Sequence, residues 1–381
     1  MVLTGQYCPE SLHSAISQQA REEALEAIIH WPNYQRTDLL ELSDLADELG
    51  IAALYYKDES SRFELASFKA LGGAYAVQLV LRRSISRELG QEVTLEDIEK
   101  VRYPEIAGRF TVVTATDGNH GRSVAWGAQR FGCQCVIYMH EQVSKGRQQA
   151  VELFGAKVRR VKGNYDDSVH AAAVDATSQN WLIVSDTAWP GYLEVPRTVM
   201  AGYTVMTHEV MAQWPLQSPP THVFIQGGCG GLAAAVCLDM WCHYGSCRPI
   251  FLIVEPEAAA CLYESVQACE RRSVNIERES VMAGLSCGEV SLVAWPILKL
   301  AADEFLTITD EPVAPLMRRL ARDHSIIAGE SAVAGLAGLT EARLNEVLWQ
   351  QLALTEKSRV LVFGTEGATD PDIYQHLVQS S

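Results

Sequence analysis

Three short stretches of this chain carry side chains that could do chemistry. The first is Ser67-Phe68-Lys69, followed closely by Gly72 and Gly73. An unprotonated lysine amine attacks a carbonyl carbon and makes a Schiff base. The pattern places Lys69 at a helix start with Ser67 as N-cap, and the positive end of a helix disfavours a second positive charge, which pushes the amine toward its neutral form. Gly72 and Gly73 would let a partner approach the first turn closely. The second stretch runs from Thr116 through Asp117, Gly118, Asn119 and His120 to Gly121, so that a carboxylate, an amide and an imidazole share one turn. The third is Gly227, Gly228, Cys229, Gly230 and Gly231, whose backbone amides, clear of Cβ atoms, can converge on an anion.

Each stretch needs a strand and a helix to position it. Residues 52–57 read as a strand, residues 58–62 as a polar turn, and residues 70–83 as a helix. Residues 109–115, continuous in β-branched side chains as a buried parallel strand should be, lead into the Thr116–Gly121 turn, a helix over 122–131 and a strand over 135–139. This is a βαβ unit, in which ligands gather at the carboxyl ends of the strands. Further strands are expected at 157–161 and 181–185, the latter delivering Asp186. Strands at 221–225, 249–254 and 359–363 follow, the first running into the glycine loop and the last ending at Gly364 and Thr365. Helices are expected at 11–29, 44–49, 293–305, 311–324 and 331–349, and Thr94 with Asp97 forms a capping-box pattern. The result is an α/β chain of two domains, each with a mainly parallel twisted sheet flanked by helices. Residues 1–86 plus 204–381 would form the large domain and 87–203 a small mobile one.

Composition narrows the partner. A chain of 381 residues with 48% hydrophobic and 20% charged residues is long enough for two cores, and its net charge of -16 argues against nucleic acid or an anionic membrane surface. A small molecule is the better match. The start of the sequence has no basic segment followed by an apolar run, and no stretch has the length of a membrane span, so a cytoplasmic location is expected. The ten cysteines show no zinc-ligand spacing, so no metal is expected, and they read mainly as buried thiols, although Cys261 and Cys287 could meet.

Two other motifs compete. Gly228, Gly230 and Ala233 satisfy Gly-x-Gly-x-x-Ala, with Glu255 ending the next strand, as in a dinucleotide site of an NAD-dependent dehydrogenase. Gly284, Ser286 and Gly288 match Gly-x-Ser-x-Gly with Asp323 and His324 downstream, but a charged segment precedes them where a nucleophile elbow needs an apolar strand. The pairs Asp166-Asp167 and His208-Glu209 read as solvated helix faces.

An aldehyde cofactor carrying a phosphate needs an amine, an anion nest and polar groups for its ring, and Lys69, the Gly227–Gly231 loop and Asn119 supply these from three βα connections. That combination resembles the fold-type II pyridoxal-phosphate enzymes, the group of the serine and threonine dehydratases, and within it the diaminopropionate ammonia-lyases. The matching residues are 67–73, 115–122, 186–189, 227–231, 282–288 and 364–367. The resemblance implies pyridoxal 5'-phosphate held by Lys69, with Phe68, Asn119, Gly227, Gly228, Cys229, Gly230, Gly231 and Thr365 around it. It also implies Lys69 and Asp117 as catalytic bases, and Asp117, Asp186, Thr116 and Ser67 around the substrate. Dehydratases of hydroxy amino acids usually carry serine where this chain has Asp117. The implied reaction is α,β-elimination of D- or L-2,3-diaminopropionate to pyruvate and two ammonia by a homodimer, with serine or threonine dehydration as the alternative.

Overall fold

The computed structural model describes residues 8–116 and 118–379. Among the described residues, ten strands form two sheets: β1 (Leu39–Glu41), β2 (Ala53–Asp58), β3 (Thr111–Ala115), β4 (Gln134–His140), β5 (Lys157–Val161), β6 (Leu182–Ile183), β7 (His222–Gln226), β8 (Ile250–Pro256), β9 (Glu304–Ile308) and β10 (Arg359–Gly364). The chain divides into two units. One takes residues up to 17, 36–67 and from 206 on, and the other takes 18–35 and 68–205.

The first unit holds a six-stranded sheet in the order β1-β2-β10-β7-β8-β9. Only β1 runs antiparallel to its neighbour; β2, β10, β7, β8 and β9 pair in parallel. Strands buried on both faces must be apolar throughout, and β7 is buried at every position. Tyr56, Val362 and Phe224 lie side by side across three strands, in a core that includes Leu252, Val254 and the helix residues Leu316, Met317 and Leu320.

A buried charged cluster braces the same unit. Lys57 Nζ donates to Glu209 Oε2 at 2.7 Å and to the Thr37 carbonyl at 2.7 Å. Arg62 donates to both oxygens of Glu209 at 2.8 Å and to both oxygens of Glu59 at 2.8 and 2.9 Å. Lys57, Glu59 and Glu209 are fully buried. Glu209 is therefore not on a solvated face as its sequence neighbourhood suggests, because its partners sit some 150 residues away. Burial alone would raise its pKa, but the facing Arg62 and Lys57 lower it to about 2.

The second unit holds a parallel four-stranded sheet in the order β5-β4-β3-β6, packed through Val113, Val136, Tyr138, Ala172 and Ala176. Against it stands the helix Asn119–Phe131, which in turn packs on the helix Lys69–Leu89. A Cβ on Gly73 would fall 1.9 Å from Ser123 Oγ, so that glycine makes room for the neighbouring helix, not for a ligand.

Several elements differ from the sequence expectation. The helix expected over 11–29 is two, Glu10–His13 and Gln18–Ile29. The helix expected over 331–349 breaks at Asn345, whose side chain accepts from Leu348 N and starts a new helix. β9 occupies residues partly assigned to a helix, because Glu304–Ile308 is short and its β pattern adjoins an apolar helical run. β6 has only two residues, since the Tyr192 hydroxyl donates to Ile183 O and accepts from Ser185 N, which ends the ladder there.

Candidate active site

Lys69 is the first residue of its helix, with Phe68 as N-cap and no side-chain cap bond. Ser67 is not the cap. It bridges Glu366 in antiparallel fashion, while Gly367 N donates to Ala66 O at 2.9 Å. The cause lies just upstream, where Phe63, Glu64 and Ala66 take φ values of 48°, 61° and 50°. Left-handed backbone at non-glycine residues costs roughly 1–2 kcal/mol each, so the turn persists only because its surroundings hold it. The Arg62 cluster grips one end of it and the 364–367 turn the other.

Lys69 Nζ donates to Asp186 Oδ2 at 2.5 Å, with the Phe68 and Tyr203 ring centroids 5.4 and 5.9 Å from the nitrogen. The positive end of a helix disfavours a further positive charge, and here the Lys69 nitrogen faces a carboxylate that stands 117 residues on. Burial raises the Asp186 pKa, yet facing His120 and Lys69 hold it well below the ordinary carboxylate range. His120 Nε2 lies 2.9 Å from the Val184 carbonyl, which only accepts, so this nitrogen carries the hydrogen and Nδ1 faces Asp186 at 3.7 Å. Burial lowers the His120 pKa. Thr116 Oγ1 accepts from Gly118 N and Gly121 N at 3.1 Å each, shaping the turn from which the Asn119–Phe131 helix starts. Asp117 lies outside the described residues.

In the other unit, β7 runs into the glycine loop and then the helix Gly231–Tyr244. Gly228 and Gly230 take φ of 64° and 92°, and Gly230 is an N-cap without a side-chain bond, leaving the first helical amides to an external acceptor. A Cβ on Gly230 would stand 2.8 Å from Leu298 Cδ1. Glu255, which the dinucleotide motif would aim at a ribose, accepts from Leu262 N at 3.0 Å and Tyr263 N at 2.7 Å, and is fully buried. Burial raises its pKa to about 7. Its bonding capacity serves the next helix, which removes the NAD reading. Cys261 is a buried thiol that donates toward Gly228 O and Glu255, not half of a disulfide with Cys287. Thr365, also buried, accepts from Gln226 Nε2 at 3.4 Å and keeps its hydroxyl hydrogen for another acceptor.

An amine beside an ionised carboxylate and aromatic rings, an uncapped helix start on a glycine loop, and a buried hydroxyl are the parts that phosphate-bearing carbonyl chemistry requires. A family model for pyridoxal-phosphate dependent enzymes matches residues 30–363. Diaminopropionate ammonia-lyase of Escherichia coli (strain K12) is 36% identical over 353 residues, covering 91% of this chain and 87% of that protein. The chain belongs to the diaminopropionate ammonia-lyase family of pyridoxal-phosphate-dependent enzymes.

Solved structures agree. The Escherichia coli diaminopropionate ammonia-lyase in complex with an aminoacrylate-PLP azomethine intermediate superimposes with a TM-score of 0.86 at 34% identity, over 98% of this chain and 94% of that one. The same enzyme in complex with D-serine gives 0.87 at the same identity and coverage. The fold is fold-type II, and the family's cofactor is pyridoxal 5'-phosphate. The side chains and amides described above have chemistry that fits it: an amine at Lys69 in one unit, and in the other the backbone amides of Gly227–Gly231 and a buried hydroxyl at Thr365. Sequence reasoning missed Tyr203, Gln226 and the Arg62 cluster. Gln226 could have been found as the strand end just before the loop, whereas nothing in the neighbourhood of Tyr203 marks it.

Proposed function

We propose that this chain converts 2,3-diaminopropionate and water to pyruvate and two ammonia: α,β-elimination releases the β-amino group as the first ammonia, and hydrolysis of the resulting aminoacrylate gives pyruvate and the second. The observation that carries the reading is the Lys69–Asp186 pair. An ionised carboxylate already matched to one ammonium is a ready site for the amino group that distinguishes diaminopropionate from serine. A hydroxy amino acid would leave that carboxylate without its cation, which disfavours the dehydratase alternative.

The bound cofactor supplies the sink for the electron pair left at Cα. Lys69 removes the Cα proton on one face and Asp117 on the other, so that both enantiomers are substrates. Asp186 holds the substrate's amino group, Asn119 bonds the ring hydroxyl, and the Thr365 hydroxyl donates to the ring nitrogen. Gly227, Gly228, Cys229, Gly230 and Gly231 hold the phosphate. Phe68 lines the ring, and Thr116 and Ser67 fix the loops that meet the substrate. Residues 87–203, which contain the whole four-stranded sheet, move as the small domain when substrate binds. We place the enzyme in the cytoplasm as a homodimer, a setting that suits ten thiols. Among the described residues no helix is long and apolar enough to cross a membrane.

Purified protein is assayed with D- and L-diaminopropionate and D- and L-serine, and borohydride reduction followed by peptide mapping locates the modified lysine. Expected are two ammonia per pyruvate, kcat/KM highest on diaminopropionate, and a reduced adduct on Lys69. A higher kcat/KM on serine would replace the proposal with a dehydratase.

A further inference from the structure

Cysteine spacing shows no ligand motif, yet the fold gathers three soft donors from distant parts of the chain. Cys8 precedes the helix Glu10–His13, His13 ends it, and Cys242 lies in the last turn of the helix Gly231–Tyr244. Cys242 Sγ is 3.7 Å from Cys8 Sγ and 4.0 Å from His13 Nε2, and the three donor atoms all fall within 4.8 Å of one another. All three residues are half-buried. A tetrahedral zinc ion, bonded to sulfur at ~2.3 Å and to imidazole at ~2.0–2.1 Å, sets two sulfurs ~3.8 Å apart and sulfur from nitrogen ~3.6 Å apart. The two thiols already have the first spacing, and His13 Nε2 stands 4.0 Å from Cys242 Sγ, with all three donor atoms within 4.8 Å of one another, so the imidazole closes on the site by a small side-chain rotation. Buried Leu12 and Ile16 flank His13 and fix the short helix that presents it.

We propose that Cys8, His13 and Cys242 form a three-ligand site for a soft divalent cation, zinc foremost, with water in the fourth position. Loading releases the thiol protons to solvent as both sulfurs bind. The 14 residues of the helix put the site ~20 Å from the glycine loop at its other end. The ion's role is therefore to fasten the Glu10–His13 segment to that helix, and it takes no part in the elimination.

The test uses reduced holoenzyme, stripped with a chelator and titrated with Co2+ and then Zn2+. Expected is one Co2+ per chain, with the visible band of tetrahedral cobalt and a thiolate charge-transfer band, displaced by one Zn2+ that also raises Tm. Cys8→Ser, His13→Ala and Cys242→Ser each weaken Zn2+ binding by about a hundredfold, whereas Cys247→Ser, at an exposed thiol outside the cluster, binds like the unaltered protein. Unchanged cofactor absorbance and activity show that the variants are folded. The proposal is overturned by the lack of a stoichiometric cobalt band, by a band that survives Cys242→Ser, or by isolation of the protein with Cys8 and Cys242 joined as a disulfide.

Discussion

Lys69 Nζ and Asp186 Oδ2 stand 2.5 Å apart, joining the first turn of a helix to the residue three positions beyond the shortest strand of the small sheet. Asp186→Asn keeps the shape and removes the charge. A hydrogen bond to a charged group contributes about 1.5–3 kcal/mol, so kcat/KM on diaminopropionate should fall roughly 10- to 100-fold. The depressed pKa of Asp186 keeps it ionised well into acid, so the loss should be constant across the neutral range. A loss that appears only on one side of neutrality in a pH–rate profile would assign the titration elsewhere.

The two-base reading separates the enantiomers. Asp117→Asn should reduce turnover of one enantiomer of diaminopropionate by about 10²–10⁴-fold, the usual contribution of a positioned base, and leave the other within about tenfold. Parallel kcat measurements on the D and L substrates decide it. An equal fall for both would mean that Asp117 binds substrate without taking a proton.

The Arg62 cluster makes stability sensitive to acid. The folded pKa of Glu209, about 2, lies below its unfolded value of ~4.3, so its contribution is complete above the unfolded value and is lost as pH falls through the folded one. A shift of this size is worth ~3 kcal/mol. Glu209→Gln should destabilise the protein at neutral pH by about 3–5 kcal/mol, since it takes the ion-pair partner from buried Lys57 and leaves Arg62 with Glu59 alone, and should shrink the loss that the unaltered protein suffers on acidification. Urea unfolding at neutral and low pH measures both effects. Equal acid losses in the variant and the parent would remove Glu209 from the account.

Gly230→Ala meets both a left-handed φ and Leu298. The backbone penalty alone is about 1–2 kcal/mol, and the loop that must open to the phosphate would distort. Cofactor affinity should weaken at least tenfold, read by absorbance during titration with pyridoxal phosphate. Cofactor binding equal to that of the parent would show that the loop does not carry the phosphate.

The sequence discloses what is local. Lys69, the Thr116–Gly121 turn and the glycine loop each depend on neighbours within a few residues, and all three fall at the strand–helix junctions expected of them. Thr94 and Asp97 form the capping box that their spacing announces. What the sequence hides is pairing over distance. Glu209 beside His208 has the look of a wet surface, and only folding brings it to Lys57 and Arg62. Ser67 has the chemistry of a cap, but the left-handed turn before it commits the chain to Glu366 instead. The motif at Gly228–Ala233 does mark a glycine loop at a helix start but misleads as a dinucleotide site, a distinction made by where the Glu255 oxygens bond.

The second strand of the large sheet has two neighbours, a three-residue strand just before it and the final strand of the chain. During synthesis on the ribosome, Ala53–Asp58 must therefore wait, with one edge unsatisfied, until Arg359–Gly364 has emerged. A nascent chain halted before the final strand would expose a sticky ribbon and give chaperones a reason to stay bound.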